Sequence, residues 1–133
     1  MLIDDFLGSA RDVLSDPIDP VYEAAFAAID RDPNQILIVG EIDERVVATM
    51  QLSFLPGLSR RGAWRAQIEA VRVSSDLRGR GIGEAMMRDA IARATAHGCS
   101  TIQLTTDKRR ADAHRFYERL GFEASHEGMK LLL

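Results

Sequence analysis

Between Ala66 and Arg88 the chain passes from a β-branched run, through three alternate glycines, into an alanine- and methionine-rich segment. The run Ala66-Gln-Ile-Glu-Ala-Val-Arg-Val73 has the composition of a strand and breaks at Ser74-Ser75-Asp76. Arg78-Gly79-Arg80-Gly81-Ile82-Gly83 follows, and Glu84-Ala-Met-Met-Arg88 then takes up helical spacing. The order is strand, turn, helix. A turn stripped of side chains lets its backbone approach a ligand closely, and a new helix aims unpaired amides and the positive end of its dipole into the same space. That arrangement suits a phosphate. The alternative is a tight connection that binds nothing, but glycines at three of five consecutive positions carry an entropic cost that a mere connection does not require.

Other phosphate loops fit these residues poorly. A dinucleotide fingerprint needs Gly-x-Gly-x-x-Gly after a first strand and an acid about 20 residues later. Gly79, Gly81 and Gly83 are spaced Gly-x-Gly-x-Gly instead. A P-loop ends in Gly-Lys-Ser/Thr, which this chain lacks.

Arg78-x-x-Gly81-x-Gly83, preceded by a strand ending in Val71 and Val73, resembles the cofactor loop of the GNAT N-acetyltransferases. Ala113-His114-Arg115-Phe116-Tyr117-Glu118-Arg119-Leu120-Gly121-Phe122 resembles that family's second signature, a helix carrying a tyrosine and ending at Leu-Gly-Phe. Two signatures in this order are more specific than either alone, and the resemblance covers residues 35 to 133. It implies a mixed α/β fold with a central, mostly antiparallel sheet and a parallel strand pair at the cofactor notch. It also implies acetyl-CoA as cosubstrate, with the backbone of Val71, Arg72 and Val73 alongside it and its pyrophosphate on the loop Arg78, Gly79, Arg80, Gly81, Ile82 and Gly83. Family members begin with a strand before the first helix. This sequence opens in the helix itself, so either its start is truncated or the sheet lacks its first edge strand, and an exposed strand edge left behind would point to a homodimer.

The chemistry implied is direct acetyl transfer to a primary amine, with no covalent enzyme intermediate, because no nucleophile with a partnered base is evident. A small molecule is the expected acceptor; a protein amino terminus or lysine, or a non-catalytic acyl-CoA sensor, are the alternatives. The amine must arrive unprotonated, the oxyanion needs a donor, and the departing thiolate is helped by an acid. By position the family's oxyanion amide falls on Val71, or on Arg72 if the bulge that frees it is shifted by one. Ile68-Glu69-Ala70-Val71 resembles the strand of members with a glutamate base. Strict alternation places Glu69 on the same side as Val71, and burial of a carboxylate can raise its pKa into a useful range. The alternative is a surface ion pair of Glu69 with Arg65 or Arg72. Tyr117 matches the family's helix tyrosine and is the candidate acid; the alternative is that it only packs. Arg110 stands where many members place an asparagine against the pantetheine arm, and with Lys108 and Arg109 it could meet a phosphate or merely be solvated. His114 is a weaker candidate base.

A chain of 133 residues suits one domain spanning 1–133, without staples. Its single cysteine, Cys99, excludes a disulfide framework and argues against a cysteine-rich metal site. No apolar run is long enough for a membrane span, and the early acids Asp4 and Asp5 are wrong for a signal peptide. A cytoplasmic location is expected. Residues 1–44 hold eleven acids against Arg11 and Arg31, whereas the remainder is net basic. That asymmetry suits an anionic cosubstrate beside a cationic amine, and the overall charge of −3 argues against nucleic acid as the main partner.

The remaining elements follow from periodicity and punctuation. Helices are expected over Ile3–Leu14, from Pro20 behind the cap Asp19, over Glu84–His97, and over Arg109–Leu120 capped by Asp107. The second helix carries an apolar stripe of Val21, Tyr22, Ala25, Phe26 and Ile29. Strands are expected over Gln35–Glu41 (buried-looking), Arg45–Leu55, Trp64–Val73 and Ser100–Thr105, the last parallel to the cofactor strand. A closing hairpin is expected from Phe122–His126 and Met129–Leu133.

Overall fold

The computed structural model describes residues 15–133; the helix expected over Ile3–Leu14 lies outside them. Asp19 accepts a 3.0 Å hydrogen bond from the amide of Val21, and Pro20 occupies the first position of α1 (Pro20–Arg31). This joins a side-chain cap to a residue that has no amide to satisfy. Two antiparallel strands follow, β1 (Gln35–Ile42) and β2 (Arg45–Leu55), and then one short turn, α2 (Ser59–Gly62), in which Arg60 and Arg61 take left-handed backbone angles. β3 (Trp64–Val73) pairs antiparallel with β2. A 3-10 turn, Ser75–Leu77, and the glycine segment lead into α3 (Ile82–Ala96), after which β4 (Cys99–Leu104) pairs parallel to β3. Last comes α4 (Ala111–Arg119). The described sheet therefore has the order β1-β2-β3-β4, and no described strand precedes α1. The result is the mixed α/β architecture with one parallel pair.

Alternation along the strands builds the two faces. Ala48, Met50, Leu52 and Phe54 of β2 and Ala66 and Ile68 of β3 are buried together with Met86, Met87, Ala90 and Ala94 of α3. The small side chains of Ala90 and Ala94 let the helix lie close on the sheet, and Met86 reaches across to β1. A Cβ on Gly40 would lie 3.1 Å from Ala48 Cβ and 3.3 Å from Met86 Sδ. The opposite face carries a row in register across all four strands, Gln35, Ser53, Gln67 and Gln103. Gln103 donates to Gln67 at 2.7 Å, and Gln51, one row over, donates to Gln35 at 2.6 Å. β1 is accordingly half-buried in alternation rather than buried throughout, with Leu37 and Val39 exposed beside these amides.

Several expectations need correction. The apolar stripe of α1 is largely uncovered, with Val21 and Phe26 64% and 54% exposed. Asp107 does not cap α4. It closes the preceding turn instead, accepting from the amides of Arg109 (side chain, 2.9 Å) and Arg110 (carbonyl, 2.9 Å), and α4 begins two residues later than expected. The closing hairpin does not form: residues 122–133 contain no strand. Two short strands with nothing behind them bury too little to hold together. His97, read from sequence only as a helix-end charge, stacks on Phe54 at 3.9 Å between ring centres and meets the edge of Trp64 at 5.0 Å. It closes the core at the end of the sheet opposite the glycine turn.

Candidate functional site

The site begins where two strands part. β3 and β4 are in register from Trp64 opposite Cys99 to Ile68 opposite Leu104, and there the pairing ends while β3 runs on to Val73. Just past that point Gln51 opposes Glu69 and Thr49 opposes Arg72, so β3 carries one residue more than β2. This is a β-bulge, with Ala70 in the left-handed region at φ 52°. The bulge resets the alternation. Val71 and Val73 turn to pack against the core, as Ala66 and Ile68 do before it, and Glu69 is left exposed. The expected sharing of one side by Glu69 and Val71 therefore does not hold, because strict alternation does not survive an inserted residue. Among the described residues Glu69 makes no ion pair with Arg65 or Arg72.

Beyond Val73 the turn is held from outside. Ser74 donates its amide to Val47 O at 2.8 Å, and Arg45 grips Asp76 through two hydrogen bonds of 2.9 and 3.1 Å and Ser74 Oγ through a third of 3.1 Å. That bidentate bond holds the Asp76 carboxyl below the usual carboxylate range. Arg78 folds back to donate from Nε to Val73 O at 3.3 Å. Gly79 and Gly81 take φ values of 77° and 81°, and a Cβ placed on either would meet nothing within 4 Å. Gly81 is the N-cap of α3, and the first backbone bond into the helix runs from Ala85 N to Gly81 O at 3.0 Å. The amides from Gly79 to Glu84 find no backbone acceptor among the described residues. An open concavity lined by main-chain donors is what a diphosphate requires. Gly83 differs from Gly79 and Gly81: a Cβ there would meet Phe116 Cζ at 3.5 Å and Val73 Cγ2 at 3.7 Å, ordinary contact that leaves room for a methyl group.

α4 completes the wall. Phe116 and Tyr117 pack edge to face at 5.2 Å, and both lie half-buried against the core. Burial pushes the Tyr117 phenol above its usual pKa, opposed by the positive charges of Arg110 and then Arg72. The structure thus brings Tyr117, Arg72 and Arg110 into one electrostatic neighbourhood, with Arg110 at the N-cap of α4. Arg72 also donates from Nη1 to Val71 O at 2.9 Å, across the bulge. Glu69 stands apart on the exposed side. His114 is used structurally, its Nε2 lying 3.2 Å from Asp107 O. Sequence reasoning missed Arg45, since a residue 31 positions before its partner leaves no local signal. Among the described residues there is no cluster suited to a metal, and no helix is long and apolar enough to cross a membrane.

A mixed sheet opened beside a bulge, with a glycine-lined helix start at the mouth, defines an acyl-transfer class of fold. The chain belongs to the acetyltransferase (GNAT) family, whose model matches residues 3–122, and it is an N-acetyltransferase of that family. Among curated proteins it is 31% identical over 105 residues to the aminoalkylphosphonate N-acetyltransferase of Salmonella typhimurium, covering 79% of this chain and 68% of that one. It is 32% identical over 87 residues to the glucosamine 6-phosphate N-acetyltransferase of Trypanosoma brucei brucei, covering 65% of this chain and 57% of that one. Among solved structures, one described as a transcriptional regulator from Bacillus halodurans C-125 shares 50% identity with a TM-score of 0.98, over 100% of this chain and 89% of that one. A putative acetyltransferase from Agrobacterium tumefaciens str. C58 shares 32% identity with a TM-score of 0.80, over 88% and 85%.

Proposed function

We propose that residues 1–133 form one acetyltransferase domain that takes acetyl from acetyl-CoA and passes it directly to the primary amine of a small molecule. The observation that carries this reading is the open glycine turn at the head of α3, lying beside the splayed end of the β3–β4 pair. The two curated relatives act, by name, on amines that also bear a phosphonate or phosphate, which supports a small acceptor.

In this reading the amides from Gly79 to Glu84 hold the pyrophosphate, with Arg78, Arg80 and Arg110 adding positive charge around it. The cosubstrate supplies an activated thioester carbonyl. The backbone at Val71 or Arg72, freed by the bulge at Ala70, donates to the oxygen on which charge develops. Tyr117 stays protonated because its environment is apolar, and it gives its proton to the leaving sulfur. Glu69, exposed on the other side of β3, takes the amine proton through water.

Calorimetry with acetyl-CoA, followed by a thiol-release assay over a panel of small amines, tests the proposal. Binding and turnover are expected, and absence of binding heat would sink it. The description of the Bacillus halodurans neighbour as a regulator favours one second reading, a sensor that binds the acyl-CoA and transfers nothing. Turnover that falls in Tyr117→Phe and Glu69→Gln with acetyl-CoA affinity retained decides for the enzyme.

A further inference from the structure

On the face of the sheet away from α3, two relays of side-chain amides flank Glu69, and we propose that they hold the hydroxyl groups of a polyhydroxylated amine while that amine reacts. The inference rests on the acetyl-transfer reading above and names the class of its acceptor. The polarity of each relay is fixed by an oxygen that can only accept. Asp32 Oδ2 takes a 3.1 Å bond from Gln35 Nε2, so Gln35 turns its carbonyl the other way, where it accepts from Gln51 Nε2 at 2.6 Å. Gln51 Oε1 is left as the open end. The main-chain carbonyl of Ile68 sets the second relay. Gln67 Nε2 donates to it at 3.5 Å, Gln67 Oε1 accepts from Gln103 Nε2 at 2.7 Å, and Gln103 Oε1 is the open end. Side chains ordered before a ligand arrives have less rotamer freedom to lose on binding it.

Strand register sets both relays around the proposed base. Gln51 opposes Glu69 across the β2–β3 ladder, and Gln67 precedes Glu69 by two residues on the same face. Gln67 pairs with Gln103 one step before the β3–β4 ladder ends at Ile68 and Leu104, so the amides stand at the lip of the splay. Glu69 and Gln103 are exposed and Gln51 and Gln67 half-buried, which leaves them within a ligand's reach. The chemistry of the patch selects its partner. Each terminal amide keeps an open carbonyl and a second N–H, and neither carries a charge. A hydroxyl, which gives one hydrogen and accepts another, matches both functions. A bare alkyl chain would leave them without a partner, and an ionic arm would find no opposite charge on Gln51 or Gln103.

A thiol-release assay on the intact chain compares three six-carbon primary amines: glucamine, whose other carbons carry hydroxyls, n-hexylamine, and the anionic ε-aminocaproate. Glucamine is expected to show the highest kcat/KM, about tenfold or more above hexylamine. Gln51→Leu and Gln103→Leu are each expected to raise KM for glucamine about three- to tenfold with little change in kcat, eroding that advantage. Acetyl-CoA calorimetry on each variant reports whether the fold is intact. If Gln51→Leu does not fold, Gln103→Leu, at an exposed position on the edge strand, carries the test. Hexylamine or ε-aminocaproate equalling glucamine would overturn the proposal and leave acetyl transfer standing, as would a glucamine preference that survives the substitutions. No turnover of any amine by protein that binds acetyl-CoA would sink the transfer reading and this one with it.

Discussion

Arg45, at the first position of β2, holds Asp76 in the turn after β3 through two hydrogen bonds of 2.9 and 3.1 Å. The pair ties the β1–β2 hairpin to the turn that delivers the glycine segment. Arg45→Ala is therefore expected to raise the acetyl-CoA dissociation constant several-fold while leaving the core intact, as read by calorimetry beside thermal melting. The pH dependence follows from the lowered Asp76 pKa. Its contribution is present above the ordinary carboxylate value of about 3.9 and is lost as pH falls through the depressed value. The acid limb of the stability curve should therefore flatten in Arg45→Ala; an unchanged limb would show that the pair contributes nothing.

Gly81 combines φ 81° with open space in front of its missing side chain. Gly81→Ala is expected to cost about 1–2 kcal/mol through left-handed strain. Gly81→Glu adds charge and bulk among the amides, so acetyl-CoA binding should vanish while the protein still folds. Gly83→Ala is the control. Its new methyl meets Phe116 and Val73 at ordinary van der Waals distance, so it should fold and melt close to wild type.

Tyr117→Phe keeps the packing against Phe116 and Phe122 and removes the proposed proton donor. The expected loss in kcat is about 10²–10⁴-fold, with acetyl-CoA affinity unchanged. Because burial raises the phenol pKa, the acid form persists past the ordinary value of about 10. Native Tyr117 then holds a proton that the unfolded chain has released, so stability falls as pH rises through that window. Urea titrations between neutral and strongly alkaline pH should show this fall in the wild type and lose it in Tyr117→Phe.

Ala70 holds a positive φ of 52° without being glycine, the cost of fitting the extra residue of the bulge. A β-branched side chain tolerates that region worst. Ala70→Val is expected to destabilise by about 1–3 kcal/mol and, on the proposed mechanism, to lower kcat more than it raises KM for the amine, since it disturbs the backbone proposed to face the thioester carbonyl. A kcat equal to wild type would separate the bulge from the chemistry.

Much of this molecule is legible in one dimension because its signals are local. The cap Asp19-Pro20, the bounds of β2 and β3, and the glycine punctuation around residues 79–83 each depend on neighbours a few positions away. Chain geometry alone acts over that range, so residue type and spacing determined the strand–turn–helix and, through it, the family. Tertiary structure decided the rest. The bulge that parts Glu69 from Val71 exists only in the register between β2 and β3, and the grip of Arg45 on Asp76 exists only once the hairpin has folded over the turn. Met129–Leu133 reads as a strand from composition, yet a strand is made by its partner. Whether those residues form one is settled by which edge lies within reach, a matter of three-dimensional packing that no pattern along the chain encodes.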